Sequence, residues 1–205
     1  MLDNYARNED GIVYQIERKP FDYTGHYNDY YADIKACTRY TSNLRLGYII
    51  GSIGHIPNSV LDVGYGAGVF LEACGEEIDR YGHDISGWPV PEGCTFVEDL
   101  LKGSYDVITF FDSLEHMDDI DFVKDLNTKY VCISVPDCHY FSDEWFDTWK
   151  HRKADEHLWH FNEVSLKKFM DRMGYDTINT CNLEDITRKN NESYTNILTG
   201  IFKKR

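Results

Sequence analysis

The sequence predicts an α/β protein: a mostly parallel sheet with helices on both faces, finished by an antiparallel hairpin at its C-terminal end. Three observations carry this. Short apolar runs of strand type recur along the chain, at 59–63, 80–85, 94–97, 105–111 and 130–135, several of them separated by helical stretches, as parallel strands require. The first run leads through Gly64, Gly66 and Gly68 directly into a helix beginning at Val69. The last two runs, Asp176 to Leu183 and Tyr194 to Phe202, are joined by the polar turn Thr187 to Ser193 and read as a hairpin.

Taken in order, residues 1–36 are polar and rich in tyrosine, with Phe21, Tyr23, Tyr27, Tyr30 and Tyr31 flanking His26 and Asp29. They form either an N-terminal arm whose rings cover the core or a lid over a binding mouth, since a phenol can both stack and donate a hydrogen bond. Residues 38–55 are expected to be helical, with Leu44, Tyr48 and Ile49 at helical spacing and Gly54 at the end. Pro57 and Asn58 break the chain before the first strand. A helix of about two turns, Val69 to Glu77, should follow the glycine turn. After the strand ending near Asp84, Trp88-Pro89-Val90-Pro91 leaves no room for a helix, so this stretch of sheet is either thinly covered or filled by Trp88. A helix is expected around Asp121 to Asn127, and another over Glu163 to Met173, stopped by Gly174. Between 138 and 162 lies an aromatic segment containing Tyr140, Phe141, Trp145, Phe146, Trp149, Trp159 and Phe161, with four histidines interleaved.

Composition narrows the class. At 205 residues and 42% hydrophobic content the chain suits a single domain with a full core. A net charge of −14 repels phosphate backbones, and no basic patch offsets it, so nucleic acid is not expected as a partner. No apolar run approaches the ~20 residues that span a bilayer, and the N-terminus lacks the apolar core of a secretion signal. Six cysteines without a C-x-x-C pair fit a reduced, cytoplasmic protein better than a disulfide or zinc framework. The histidine spacings between 139 and 160 match no structural zinc pattern, which leaves aromatic packing as the reading of that segment.

The glycine turn is the most informative stretch. Glycine lets the backbone take positive φ and lets a ligand lie against it. The spacing is Asp-x-Gly-x-Gly-x-Gly from Asp62 to Gly68, not the G-x-G-x-x-G of dinucleotide folds. A carboxylate at Asp62 disfavours a pyrophosphate and suits a ligand carrying an ammonium group and a sulfonium. Asp84, closing the next strand, is placed to accept two hydrogen bonds from a ribose diol. Together these residues resemble motif I and its partner acid in the Rossmann-like (class I) S-adenosylmethionine-dependent methyltransferases. The resemblance extends over about residues 40–205, with Tyr105 to Phe111 similar to motif II and Leu114-Glu115-His116 similar to the segment that follows it.

That resemblance implies a Rossmann-like, seven-stranded mostly parallel sheet, S-adenosyl-L-methionine as cofactor, and a small-molecule acceptor methylated at oxygen, with N- or C-methylation and a non-catalytic binding protein as alternatives. It implies cofactor contacts from Asp62, Gly64, Gly66, Gly68, Asp84 and Phe111, with Asp99 on the adenine amino group and the Leu100 amide facing the ring. The 138–162 segment would cap the acceptor pocket. If 112–116 is helical, Asp112, Glu115 and His116 share a face. They are then similar to the metal-binding E-x-x-E-H segment of the ubiquinone-pathway O-methyltransferases and small-RNA 2′-O-methyltransferases, and His157 matches the later histidine. The alternative is metal-free: Glu115 and His116 line the pocket floor, and His116 is the general base, its ordinary pKa lying near working pH.

Overall fold

The computed structural model describes residues 2–21, 38–189 and 192–205 in full and, of the stretch between 21 and 38, only the backbone course of one helix. The chain opens with two short strands, β1 (Tyr5–Arg7) and β2 (Val13–Gln15), paired antiparallel. Helix α1 spans Tyr23–Ile53, so it begins well before residue 38, where the periodicity had placed it. The tyrosine side chains at 23, 27, 30 and 31, with His26 and Asp29, fall outside the described residues, and with them the lid reading of that segment. β3 (Ser59–Val63) leads into the glycine turn and α2 (Val69–Ala73). This helix is half the expected length because Gly75, at φ 74°, turns the chain out of it.

β4 (Asp79–His83) and the two-residue β5 (Thr95–Phe96) follow, and no helix lies between them, as the prolines require. Pro91 instead packs onto the glycine turn: a Cβ on Gly68 would stand 2.1 Å from its Cγ. β6 (Tyr105–Phe111) is buried along its whole length and coincides with the apolar run. Two 3-10 turns, Leu114–His116 and Asp121–Asp125, take the place of the helical stretches anticipated there. β7 (Thr128–Pro136), α3 (Asp143–Thr148), β8 (Trp159–His160), α4 (Glu163–Arg172), β9 (Tyr175–Cys181) and β10 (Ile197–Lys204) complete the order. α4 starts with a reciprocal cap: the Asn162 side chain accepts from the Ser165 amide, and the Ser165 hydroxyl accepts from the Asn162 amide.

The main sheet has seven strands in the order β5-β4-β3-β6-β7-β10-β9. β5 through β7 are parallel, and β10 inserts antiparallel between β7 and β9. Strand alternation distributes side chains to two faces. Leu61, Val63, Ile108, Phe110, Val131 and Ile133 face one way, onto Leu166, Phe169 and Met170 of α4. Val60, Val107, Phe111, Cys132 and Ile201 face the other, onto Ile49 of α1 and Phe70 of α2. Each such apolar side chain contributes roughly 1.5–3 kcal/mol by leaving water.

β2 also pairs with β8, making a second sheet β1-β2-β8. Beneath it Tyr5, Val13, Cys138, Phe146 and Trp149 form their own small core. Much of the aromatic segment is therefore packing: Tyr5 stands edge-on to Phe146 at 5.0 Å, and Phe146 edge-on to His160 at 5.0 Å. Among the described residues no helix is long and apolar enough to cross a membrane.

Candidate active site

In an open parallel sheet, ligands sit beyond the carboxyl ends of the strands where the order reverses. Here that place is between β3 and β6. A cleft of about 670 Å³, mouth included, opens there, lined among others by Gly64, Gly66, Asp84, Asp112, Ser113 and His116. Gly64 has φ 79°, its amide donates to the His83 carbonyl at 2.7 Å, and a Cβ would stand 2.6 Å from that of Ser113. The Ser113 hydroxyl in turn donates to the Val63 carbonyl. The turn is thus closed against the end of β6 with no room for a side chain.

Asp84 is held by backbone donors. One oxygen accepts from the Gly66 amide at 2.8 Å, the other from the Ser86 amide at 2.7 Å. Each oxygen keeps further acceptor capacity. The other expected cofactor residues are dispersed. Asp62 is 3% exposed and accepts from the Thr109 hydroxyl at 2.7 Å; burial pushes its pKa up to about 6. It lies outside the cleft lining, as do Gly68, beneath Pro91, and Phe111, packed against Phe70 at 4.8 Å. Asp99 and Leu100 line a separate hollow beside Phe122, where Asp99 pairs with Lys102 at 3.2 Å.

Asp112 corrects the expected metal set. The residue has φ 55°, and the 3-10 turn starts only at Leu114, so Asp112 does not share a helical face with Glu115 and His116. Its carboxylate turns instead to two arginines, accepting from Arg45 at 2.9 Å and from Arg188 at 2.8 Å through both oxygens. The same arginines hold Glu184, which is fully buried. Burial alone would raise the Asp112 pKa, but Arg188 and Arg45 outweigh it and hold the group well below the usual range. The Arg45 guanidinium also lies 4.3 Å over the Phe111 ring. Sequence reasoning missed this network, in which Arg45 lies 67 positions from Asp112 and 139 from Glu184.

The remaining three candidates converge. One ligand atom each from Glu115, His116 and His157 lies within 4.8 Å of the others. The two imidazoles meet edge to face at 4.6 Å. Glu115 is 1% exposed, and neither of its oxygens has a hydrogen-bond partner among the described residues. Burial, reinforced by the charge of Asp112, raises its pKa well above the carboxylate range. Burial lowers His116, and lowers His157 to about 2. The aromatic segment reaches the site through His157, which precedes β8; the Leu158 amide donates to the Glu115 carbonyl at 2.8 Å.

The sheet order, the glycine turn and the acid on the second strand define a Rossmann-like methyltransferase. Residues 44–180 match the family described as a methyltransferase domain. The chain belongs to that family, as its resemblance to the S-adenosylmethionine-dependent enzymes implied. No curated protein matches the sequence. Among solved structures, it is similar to magnesium protoporphyrin IX methyltransferase from Synechocystis PCC 6803 with bound S-adenosylmethionine. That match has 18% identity, covers 88% of this chain and 86% of the other, and has a TM-score of 0.58. An S-adenosylmethionine-dependent methyltransferase from Clostridium acetobutylicum ATCC 824 superposes with a TM-score of 0.61 at 13% identity, covering 87% and 98%. A plantazolicin methyltransferase, solved in complex with a triazolic desmethylPZN analogue and S-adenosylhomocysteine, gives 0.56 at 14% identity, covering 82% and 86%.

Proposed function

We propose that the chain transfers a methyl group from S-adenosylmethionine to an oxygen of a small-molecule acceptor. The observation that supports this most is Asp84, fixed by two backbone amides on the wall of the β3–β6 cleft with acceptor capacity to spare for a ribose diol. The closed Gly64 turn beside it supplies bare backbone for a ligand to lie against. The bound cofactor supplies an electrophilic methyl on a sulfonium whose departure needs no proton. This chain's residues then have two tasks, holding the reactants in line and taking the acceptor's proton. His116 lines the cleft and, with its pKa lowered by burial, is neutral near pH 7 and able to accept that proton. Burial and the charge of Asp112 raise the pKa of Glu115 behind it.

The acceptors named for the neighbours run from magnesium protoporphyrin IX to plantazolicin, so the fold does not choose among them. N- or C-methylation would use the same cofactor cleft without needing His116 as base. Calorimetry with S-adenosylhomocysteine should give micromolar binding, on the order of −8 kcal/mol. Asp84→Ala should weaken it about ten- to a hundredfold through two lost charge-assisted bonds. Absence of binding to the wild-type protein would overturn the assignment.

A second reading is favoured by the oxygens of Glu115, neither of which is hydrogen-bonded among the described residues. Glu115, His116 and His157 fit a divalent cation, since a carboxylate and two imidazoles are suitable donors that need close only slightly to reach one ion. Such an ion would lower the pKa of a bound acceptor hydroxyl. Titration of Zn²⁺ or Mn²⁺ into the protein should then show one site, lost in His157→Ala. If neither ion binds, His116 acts alone.

A further inference from the structure

Behind the histidines lies a groove that the cofactor reading does not use. It runs between α3 and the stretch leading into β10, and its empty space is about 950 Å³, open to solvent. Its walls are aromatic. Trp145 and Trp149 stack at 5.3 Å, and Tyr194 meets Trp145 edge-on at 5.5 Å. Phe141, 63% exposed, extends the patch with its ring 5.2 Å from Trp145 and 5.6 Å from Tyr194. The rim carries Lys150 and Lys189, both exposed, and Glu192.

The charge on this rim runs against the rest of the chain, which carries a net −14 and ties many of its cations to carboxylates. Lys150 and Lys189 have no ion-pair partner among the described residues, so two positive charges face one negative one across aromatic walls. A cationic ligand would find the ring faces favourable but would meet both ammonium groups. A planar ligand bearing a negative group satisfies both the rings and the lysines. The groove is also joined to the site by rings: Trp149 stands 5.4 Å from His151, His151 lies parallel to His157 at 6.5 Å, and His157 touches His116.

The geometry points to this groove as a subsite for the acceptor, which would be an aromatic or similarly planar molecule carrying a carboxylate or phosphate, anchored there by its charge. This rests on the methyltransferase reading for the word acceptor, but the binding site itself does not.

The test uses 1-naphthyl phosphate and neutral 1-naphthol as probes, titrated by calorimetry into the full chain in low salt. The phosphate is expected to bind about tenfold more tightly, a preference that fades with salt. Lys150→Glu combined with Lys189→Glu should abolish that preference and leave naphthol and S-adenosylhomocysteine binding unchanged. Equal affinity for the two probes, or a preference that survives the double charge reversal, overturns the proposal. So does displacement of S-adenosylhomocysteine by the phosphate, which would place the probe in the cofactor cleft. Failure of S-adenosylhomocysteine to bind at all would instead remove the methyltransferase reading, leaving the groove result to be judged on the probes alone.

Discussion

Replacing Arg45 by alanine should be among the most damaging single changes outside the apolar core. Its side chain is 12% exposed and makes two bonds to Glu184, at 2.7 and 2.8 Å, and one to Asp112 at 2.9 Å. Each charge-assisted bond is worth roughly 1.5–3 kcal/mol. The full sum does not apply, because Arg188 remains to hold both acids. Against that, Glu184 is wholly buried and would keep one cation where it had two, and the stacking over Phe111, worth about 0.5–1 kcal/mol, is lost. The net cost should be about 3–4 kcal/mol, consistent with removing one partner of a buried pair. With a urea slope of about 2 kcal/mol per molar, the unfolding midpoint should fall by about 1.5–2 M. Arg45→Met combined with Glu184→Met should cost less than the two single changes added together, since no uncompensated charge is left behind. A loss below about 1 kcal/mol for Arg45→Ala, or strict additivity in the double variant, would refute the view that this network holds α1 and the C-terminal turn to the cleft.

Two further perturbations follow from the same geometry. Gly68→Ala places a Cβ 2.1 Å from Pro91 on a residue at φ 73°, so it should destabilise by about 2–4 kcal/mol and loosen the cofactor cleft, read as a lower melting temperature and weaker S-adenosylhomocysteine binding. His160 is 3% exposed with its pKa pushed down to about 4 by burial, so the folded state binds fewer protons than the unfolded one between pH 6.5 and 4. Its contribution is complete above pH 6.5 and is lost as the pH falls towards 4, by about 3 kcal/mol in all. His160→Phe should make stability less steep against pH over that window, leaving the shares of His151, His157 and His116, which burial also lowers, and the opposing share of Asp62, which burial raises; an unchanged slope would contradict this.

The parts of the fold that were legible in the sequence are those written in local pattern. β6 matches its apolar run residue for residue because a strand buried on both faces needs no alternation to be recognised. The prolines from 89 to 91 excluded a helix, and none forms. Asp84 stood out as an acid closing a strand, and it lines the cleft. What escaped notice was non-local. β1 and β2 are three residues each, too short to show a period, and they exist because β8 completes their sheet. Arg45, Glu184 and Arg188 look like ordinary surface charges until the fold brings them together. Asp112 was misplaced because its left-handed backbone reverses where the side chain points, which a helical spacing argument cannot anticipate.

The small sheet has a consequence for the order in which the molecule assembles. Val13 and His160 meet across 147 positions. Closing a loop of that length costs about 4 kcal/mol in chain entropy beyond a constant. So few strand residues cannot repay it until Phe146 and Trp149 are already in place to receive Tyr5. Strands β1 and β2 should therefore be among the last elements to dock. Because the Gln15 amide donates to the Leu158 carbonyl and the Leu158 amide to the Glu115 carbonyl, the Glu115–His157 neighbourhood would be completed only at that final step.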